Sequence, residues 1–291
     1  MQRVTVDVDG PVSVIEYGGS GPLAICVHGL EGSAYNWRLI ADDLTKTHTV
    51  VAPDLPGFGH TEPEGRPVTV DAIAEVVAEL IRHYGGNALV IGNSMGGLIS
   101  ILLAARHPET VRALALVNPA SPVASWRKVR PLSALTLGTP LLPVVGPPLI
   151  KAYRASHTPE QGVEESYKFV TADPSTVDPA ALEDALEIAN LRRTQPWSAS
   201  ALTKASRSIA PYVLTKGRFT SVVHNVSQPT LLIHGAKDDV IQMDSAVWLA
   251  DQRPDWTTVY FEDLGHIPMI EAPDRFMQVF RTWEDALSPS R

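Results

Sequence analysis

The strongest chemical signal in the chain is Gly92-Asn93-Ser94-Met95-Gly96. It follows the apolar run 88–91, which reads as a strand, and opens a helical pattern that ends at His107 before Pro108. A Gly-x-Ser-x-Gly run between strand and helix makes a nucleophile elbow. The serine sits on a strained turn, and small neighbours let the backbone double back. Its hydroxyl then projects over the sheet, and the helix N-terminus behind it favours developing negative charge. A serine hydroxyl is a poor nucleophile until a base takes its proton, and the base needs a third group to orient it. Taken alone, Ser94 would be an ordinary helix N-cap; the flanking glycines argue for the elbow.

Other chemistries find less support. His48, His60, His83, His107, His157, His224 and His234 stand in no partner pattern. Neither His-Glu-x-x-His nor paired cysteines occur, so no metal site is expected. Gly18-Gly19-Ser20-Gly21 reads as a turn before a strand, because no helix follows it. There is no Gly-x-x-x-x-Gly-Lys loop for nucleotide phosphates. The lone cysteine, Cys26, lies in an apolar strand and reads as a small core residue. The net charge of −8 argues against nucleic acid as a partner. The first residues lack the apolar run of a signal peptide. The longest apolar stretch, 134–150, is broken by Pro140, Pro143, Pro147 and Pro148. No stable membrane insertion is expected from it, and the expected location is cytoplasmic.

Several elements must position the serine. Val4, Val6 and Val8, then Val12 and Val14, alternate with other residues and read as half-buried strands. The runs 23–27, 50–52, 88–91, 113–117 and 230–233 are continuously apolar, as suits a parallel sheet buried on both faces. Helical spacing appears over 70–84, 94–107 and 274–285. Alternating strands and helices imply an α/β fold. The alternation stops near Pro119 and resumes at Val226. This divides the chain into an α/β core, residues 1–120 and 223–291, and a mainly helical insertion, residues 121–222.

Four landmarks, taken together, resemble the α/β-hydrolases that carry a cap domain. They are His28-Gly29-Leu30-Glu31-Gly32-Ser33 with Trp37 downstream, Asp54-Leu55-Pro56-Gly57-Phe58-Gly59, the elbow, and Gly235-Ala236-Lys237-Asp238 followed by Gly265-His266. The resemblance runs from about Gly18 to Trp283 and is weakest in the insertion. It implies a mostly parallel eight-stranded sheet flanked by helices, with the insertion as the cap. Family chain order is Ser, then acid, then His. That order implies Ser94 as nucleophile, Asp238 as acid and His266 as base. Asp239 is the neighbouring alternative for the acid; Asp244 and Asp263 read as surface or turn residues. Some relatives place the acid after the preceding strand, but Val117-Asn118-Pro119-Ala120 offers none. The resemblance also implies an oxyanion hole from the backbone N–H groups of Leu30 and Met95, with His28 shaping the turn beside it. No cofactor is implied.

The expected substrate is a small acyl compound, foremost a carboxylic ester. An aspartate nucleophile, as in dehalogenases and epoxide hydrolases, is excluded by Ser94. The alternative is a carbon–carbon hydrolase of ring-fission products, whose elbow the run 92–97 resembles. Leu30-Glu31-Gly32-Ser33 and Ile267 depart from that group's pattern. A ligand-binding protein on the same scaffold would also keep the triad. Trp126, Tyr153, Tyr167, Phe169 and Trp197 make the insertion aromatic enough to line an apolar pocket.

Overall fold

A computed structural model describes residues 1–122 and 145–287. Its eight strands are β1 (Gln2–Asp7), β2 (Pro11–Gly18), β3 (Leu23–Val27), β4 (Thr49–Pro53), β5 (Ala88–Asn93), β6 (Val111–Val117), β7 (Thr230–Gly235) and β8 (Thr257–Phe261). They form one sheet in the order β1-β2-β4-β3-β5-β6-β7-β8. The pairs β1–β2 and β2–β4 are antiparallel, and all the others are parallel. This is the mostly parallel eight-stranded sheet that the resemblance implies.

Every residue of β3, β5 and β7 is buried, which accounts for their unbroken apolar runs. The two-residue strand period divides these side chains between two cores. Leu23, Ile25 and Val27 join the core containing Val77, Leu80 and Leu98. Ala24 and Cys26 join the one containing Trp37, Phe276 and Phe280. Burial pushes the Cys26 thiol pKa up, as an inert core residue requires. Helices α2 (Val70–His83) and α3 (Met95–Arg106) cover the first face; α1 (Arg38–Leu44) and α11 (Pro273–Leu287) cover the second.

Strand β2 departs from the half-buried alternation expected of it: Val12, Ser13, Val14 and Ile15 are all buried. Ser13 is tolerated inside because its polar groups are bonded. Its N–H donates to Thr61 Oγ1 at 2.9 Å, and its hydroxyl accepts from Arg3 at 2.7 Å.

Between β6 and β7 the described regular elements are helical: α4 (Gly146–Ser156), α5 (Pro159–Val170), α6 (Pro179–Thr194), α7 (Ser198–Val213) and α8 (Lys216–Val223). The last two send Ala205, Tyr212 and Phe219 into the first core. Two short helices, α9 (Met243–Gln252) and α10 (Pro268–Glu271), flank β8. Among the described residues, no helix is long and apolar enough to cross a membrane. Most of the apolar stretch 134–150, and Trp126, lie outside the described residues.

The β5–α3 turn explains the elbow glycines sterically. Ser94 is left-handed at φ 56°, where a side chain is strained. A Cβ on Gly92 would lie 2.3 Å from Ser100 Oγ and 2.5 Å from the Gly96 carbonyl. One on Gly96 would lie 2.1 Å from the Val27 carbonyl of β3. Gly96→Ala must therefore push backbone against backbone and should destabilise by about 2 kcal/mol or more. Gly162→Ala, in helix α5 with open space around it, should stabilise by about 0.5–1 kcal/mol. Urea denaturation of both variants checks the contrast; equal midpoints would refute it.

Candidate active site

The segments that follow β3, β5, β6, β7 and β8 meet at the C-terminal end of the sheet, where open α/β sheets place their sites. Ser94 N–H donates to the Val117 carbonyl at 3.0 Å, and its carbonyl accepts from Ala120 N–H at 2.9 Å. These bonds hold the strained turn against the end of β6. The Ser94 side chain makes no N-cap hydrogen bond, so the simple capping role does not describe it.

The loop after β3 passes directly over the serine. A Cβ on Gly29 would lie 3.1 Å from Ser94 Cβ. Leu30 follows immediately, and Met95 opens α3 on the other side of Ser94. His28 is buried and shapes this loop. Leu55 N–H donates to its Nε2 at 3.0 Å, so its Nδ1–H donates to the Gly29 carbonyl at 2.7 Å. Burial lowers its pKa to about 4 and keeps the ring neutral. The buried Asp54 carboxylate ties the neighbouring segments together. It accepts from Ala34 N–H at 2.7 Å, His60 N–H at 3.0 Å and Arg3 at 2.6 Å.

Asp238 and His266 are joined. His266 Nδ1 lies 2.7 Å from Asp238 Oδ2, and both side chains are buried. Asp238 Oδ1 accepts from the N–H groups of Val240 at 2.7 Å and Ile241 at 2.9 Å. Its Oδ2 also accepts from Asn118 Nδ2 at 2.6 Å. Burial pushes the Asp238 pKa up. The charge and hydrogen bond of His266, with His234 and the Ile241 amide, outweigh it and hold the carboxyl below its usual range. With Asp238 ionised, His266 Nδ1–H is the donor, which leaves Nε2 free to accept a proton. Asp239, the neighbouring alternative, is half-buried beside Asp238. Asp263 is exposed and bound by Arg275 at 2.7 and 2.9 Å, as a surface residue.

Some contacts at the site were not singled out in the sequence. Asn118, which follows β6, donates to Asp238 across the sheet's end. Asn93 donates to both the Val117 and His266 carbonyls at 3.1 Å, stitching the elbow to the histidine loop. His234 lies 3.8 Å from Asp238, and burial lowers its pKa. Glu271 accepts from the backbone around His266. Burial and the nearby Asp238 raise its pKa against the pull of the amides of Ala172, Gly265 and Ile267. The Asn118 and Asn93 bonds are tertiary contacts of common residue types, so no local spacing announces them.

Ser94, His266 and Leu30 line a cavity of about 230 Å³ shared with helices α4, α5 and α6. Of the five aromatic residues expected in an apolar pocket, Tyr153 and Tyr167 line it; Phe169 and Trp197 do not. Among the described residues, Glu31, Arg154, Arg192 and Arg193 share this lining. Glu31, left-handed at φ 56°, turns its carbonyl to Arg192 and its carboxylate to Arg154. Burial pushes its carboxyl pKa up, but the two guanidiniums outweigh this and hold it below the usual range. The loop that carries Leu30 is thus bonded to the helical segment above it.

Comparison with known proteins places this geometry. The chain is 28% identical to Lipase 3 of Moraxella sp. (strain TA144) over 286 residues, spanning 92% of this chain and 79% of the relative. It is 26% identical to the pimeloyl-acyl-carrier-protein methyl ester esterase of Nitrosomonas europaea over 270 residues, 91% of this chain and 97% of that one. A solved membrane phospholipase A superposes with a TM-score of 0.78 at 28% identity, covering 99% of this chain and 87% of its own. The meta-cleavage product hydrolase of Pseudomonas fluorescens IP01 shares the fold, with a TM-score of 0.74 at 23% identity over 96% and 95% of the two chains. The family model for the alpha/beta hydrolase fold matches residues 22–273. This protein belongs to the alpha/beta hydrolase fold family.

Proposed function

We propose that the protein is a serine hydrolase that cleaves a carboxylic ester or related acyl compound through an acyl-enzyme. The observation that carries this reading is the joining of Ser94 and His266 on one cavity, with Asp238 bonded behind the imidazole. The similarity to a lipase and a methyl ester esterase supports an ester as substrate.

In this reading Ser94 Oγ attacks the acyl carbon while His266 Nε2 takes its proton. Asp238 fixes the tautomer and stabilises the imidazolium. The N–H groups of Leu30 and Met95 receive the oxyanion, each contributing about 10²–10³ in rate. His266 returns the proton to the leaving group, then activates the water that hydrolyses acyl-Ser94. Helices α4–α6 act as a cap that encloses the substrate.

Turnover of nitrophenyl esters of graded acyl length tests the reading. Ser94→Ala should lose at least about 10⁴-fold in kcat with its fold retained. Activity within tenfold of the parent would remove Ser94 as nucleophile. Labelling of Ser94 by a fluorophosphonate without ester turnover would favour the carbon–carbon hydrolase or a ligand-binding role.

Asp238→Asn should cost about 10²–10⁴ in kcat, and Asp239→Asn less than about threefold. The reverse order would move the acid by one residue.

The pH dependence has a definite sign. The Asp238 carboxyl is held below its usual range, so it stays charged as pH falls past that of ordinary carboxylates. Acid loss of kcat/KM is therefore not expected to come from protonating Asp238. The same depressed pKa adds stability that is fully present above the unfolded carboxylate value of 3.8 and disappears as pH falls through the folded one. A rate that is flat from about pH 8 to about pH 5 would argue against histidine as the base.

A further inference from the structure

We infer that Glu271 is a positioning residue for His266, and that its carboxylate couples the imidazole to the helical segment over the site. The inference rests on the reading of His266 as the base.

The geometry concerns three successive amides. Gly265 N–H donates to both Glu271 oxygens, at 3.0 and 3.1 Å, and Ile267 N–H to Oε1 at 3.3 Å. The amide between them, His266 N–H, donates to the Val170 carbonyl at 2.8 Å. Glu271 Oε2 in turn accepts from Ala172 N–H at 2.8 Å. One buried carboxylate therefore grips the main chain on both sides of His266 and holds the segment just past α5. The His266 carbonyl is taken by Asn93 at 3.1 Å.

The two backbones are also pressed together sterically. A Cβ on Gly265 would meet Ala172 N and the Val170 carbonyl at 2.8 Å. The glycine before the histidine is thus needed for contact with the 170–172 segment. Val170 lines the cavity too, so a ligand that shifts the end of α5 moves the partners of His266 directly. Misplacing a reacting group by about 1 Å can cost about 10²-fold in rate, so a clamp on the loop backbone acts on chemistry without touching substrate.

The simplest competing account makes Glu271 a stabiliser of the short turn α10 and nothing more. Glu271→Gln separates the two. The amide keeps the size and one acceptor but turns an N–H₂ toward the Gly265 or Ala172 amide. The expected result is a fall in kcat of about tenfold to a hundredfold, with KM within about threefold and a Tm within a few degrees of the parent. The downfield proton NMR signal of His266 Nδ1–H should shift or broaden as the ring loses its fixed place against Asp238. Unchanged kcat, or a fall in kcat with an unchanged imidazole proton, would assign Glu271 to folding alone and overturn the inference.

Hydrogen exchange on the unaltered protein provides a measurement that no misfolded variant can confound. The amides of Gly265, Ile267 and Ala172 should be protected and should open together. Independent exchange of Ala172 would break the proposed coupling. Neither the imidazole proton nor amide exchange requires turnover. If Ser94 resisted the fluorophosphonate in the parent, the serine-hydrolase reading would fail while these two readouts still decided the role of Glu271.

Discussion

The ionised carboxylate of Asp238 sits where water does not reach, and much of the site is arranged to make that tolerable. An isolated buried charge costs several kcal/mol unless paired and hydrogen-bonded. Here the donors come from different parts of the chain: His266 after β8, Asn118 after β6, and the Val240 and Ile241 amides after β7. Satisfying the charge therefore brings the ends of β6 and β7 and the histidine loop to one point. The same partners that stabilise the charge fix the imidazole's tautomer. Folding and the proposed chemistry depend on one electrostatic requirement.

That requirement also explains the glycines around it. A Cβ on Gly235 would lie 2.1 Å from the Gly265 carbonyl, and Gly265 is itself pressed on the 170–172 backbone. The polar groups can converge only if the chain segments carrying them touch without side chains between them. At the opposite side of the cavity the elbow solves the same problem, with Gly96 against the Val27 carbonyl. Backbone amides near Ser94 and bonded side chains near His266 are thus products of close main-chain approach, which is a property of the sheet ends rather than of any one loop.

Legibility in the sequence followed the range of the interaction. The elbow could be read because its glycines are steric necessities at a fixed local spacing. The buried strands could be read because burial on both faces removes alternation. The half-buried reading of β2 failed because Ser13 is paid no attention by periodicity once Thr61 and Arg3 satisfy it. Position 118 looked empty because it holds no acid, yet its amide is a donor to the acid at 238, and that partnership spans 120 residues. Pocket character was the hardest to foresee. Aromatic content suggested an apolar enclosure, and it gave no sign that the described helices turn Arg154 and Arg192 toward Glu31. Which face of a helix meets a cavity is decided by packing, and α6 carries no clear apolar stripe to signal it.

Among the described contacts of the helical segment, two sets reach the residues beside Leu30 and His266. On the oxyanion side, Arg154 and Arg192 bind Glu31, one residue beyond Leu30. On the histidine side, Val170 and Ala172 bind the His266 loop directly and through Glu271. These holds reach the two halves of the proposed machinery, the oxyanion donors and the base, but by different chemistry. The arginine contacts are charge-assisted and partly open to solvent, so ionic strength weakens them. The glutamate contacts are buried and screened far less. Salt should therefore act on the Glu31 contacts before it acts on those of Glu271.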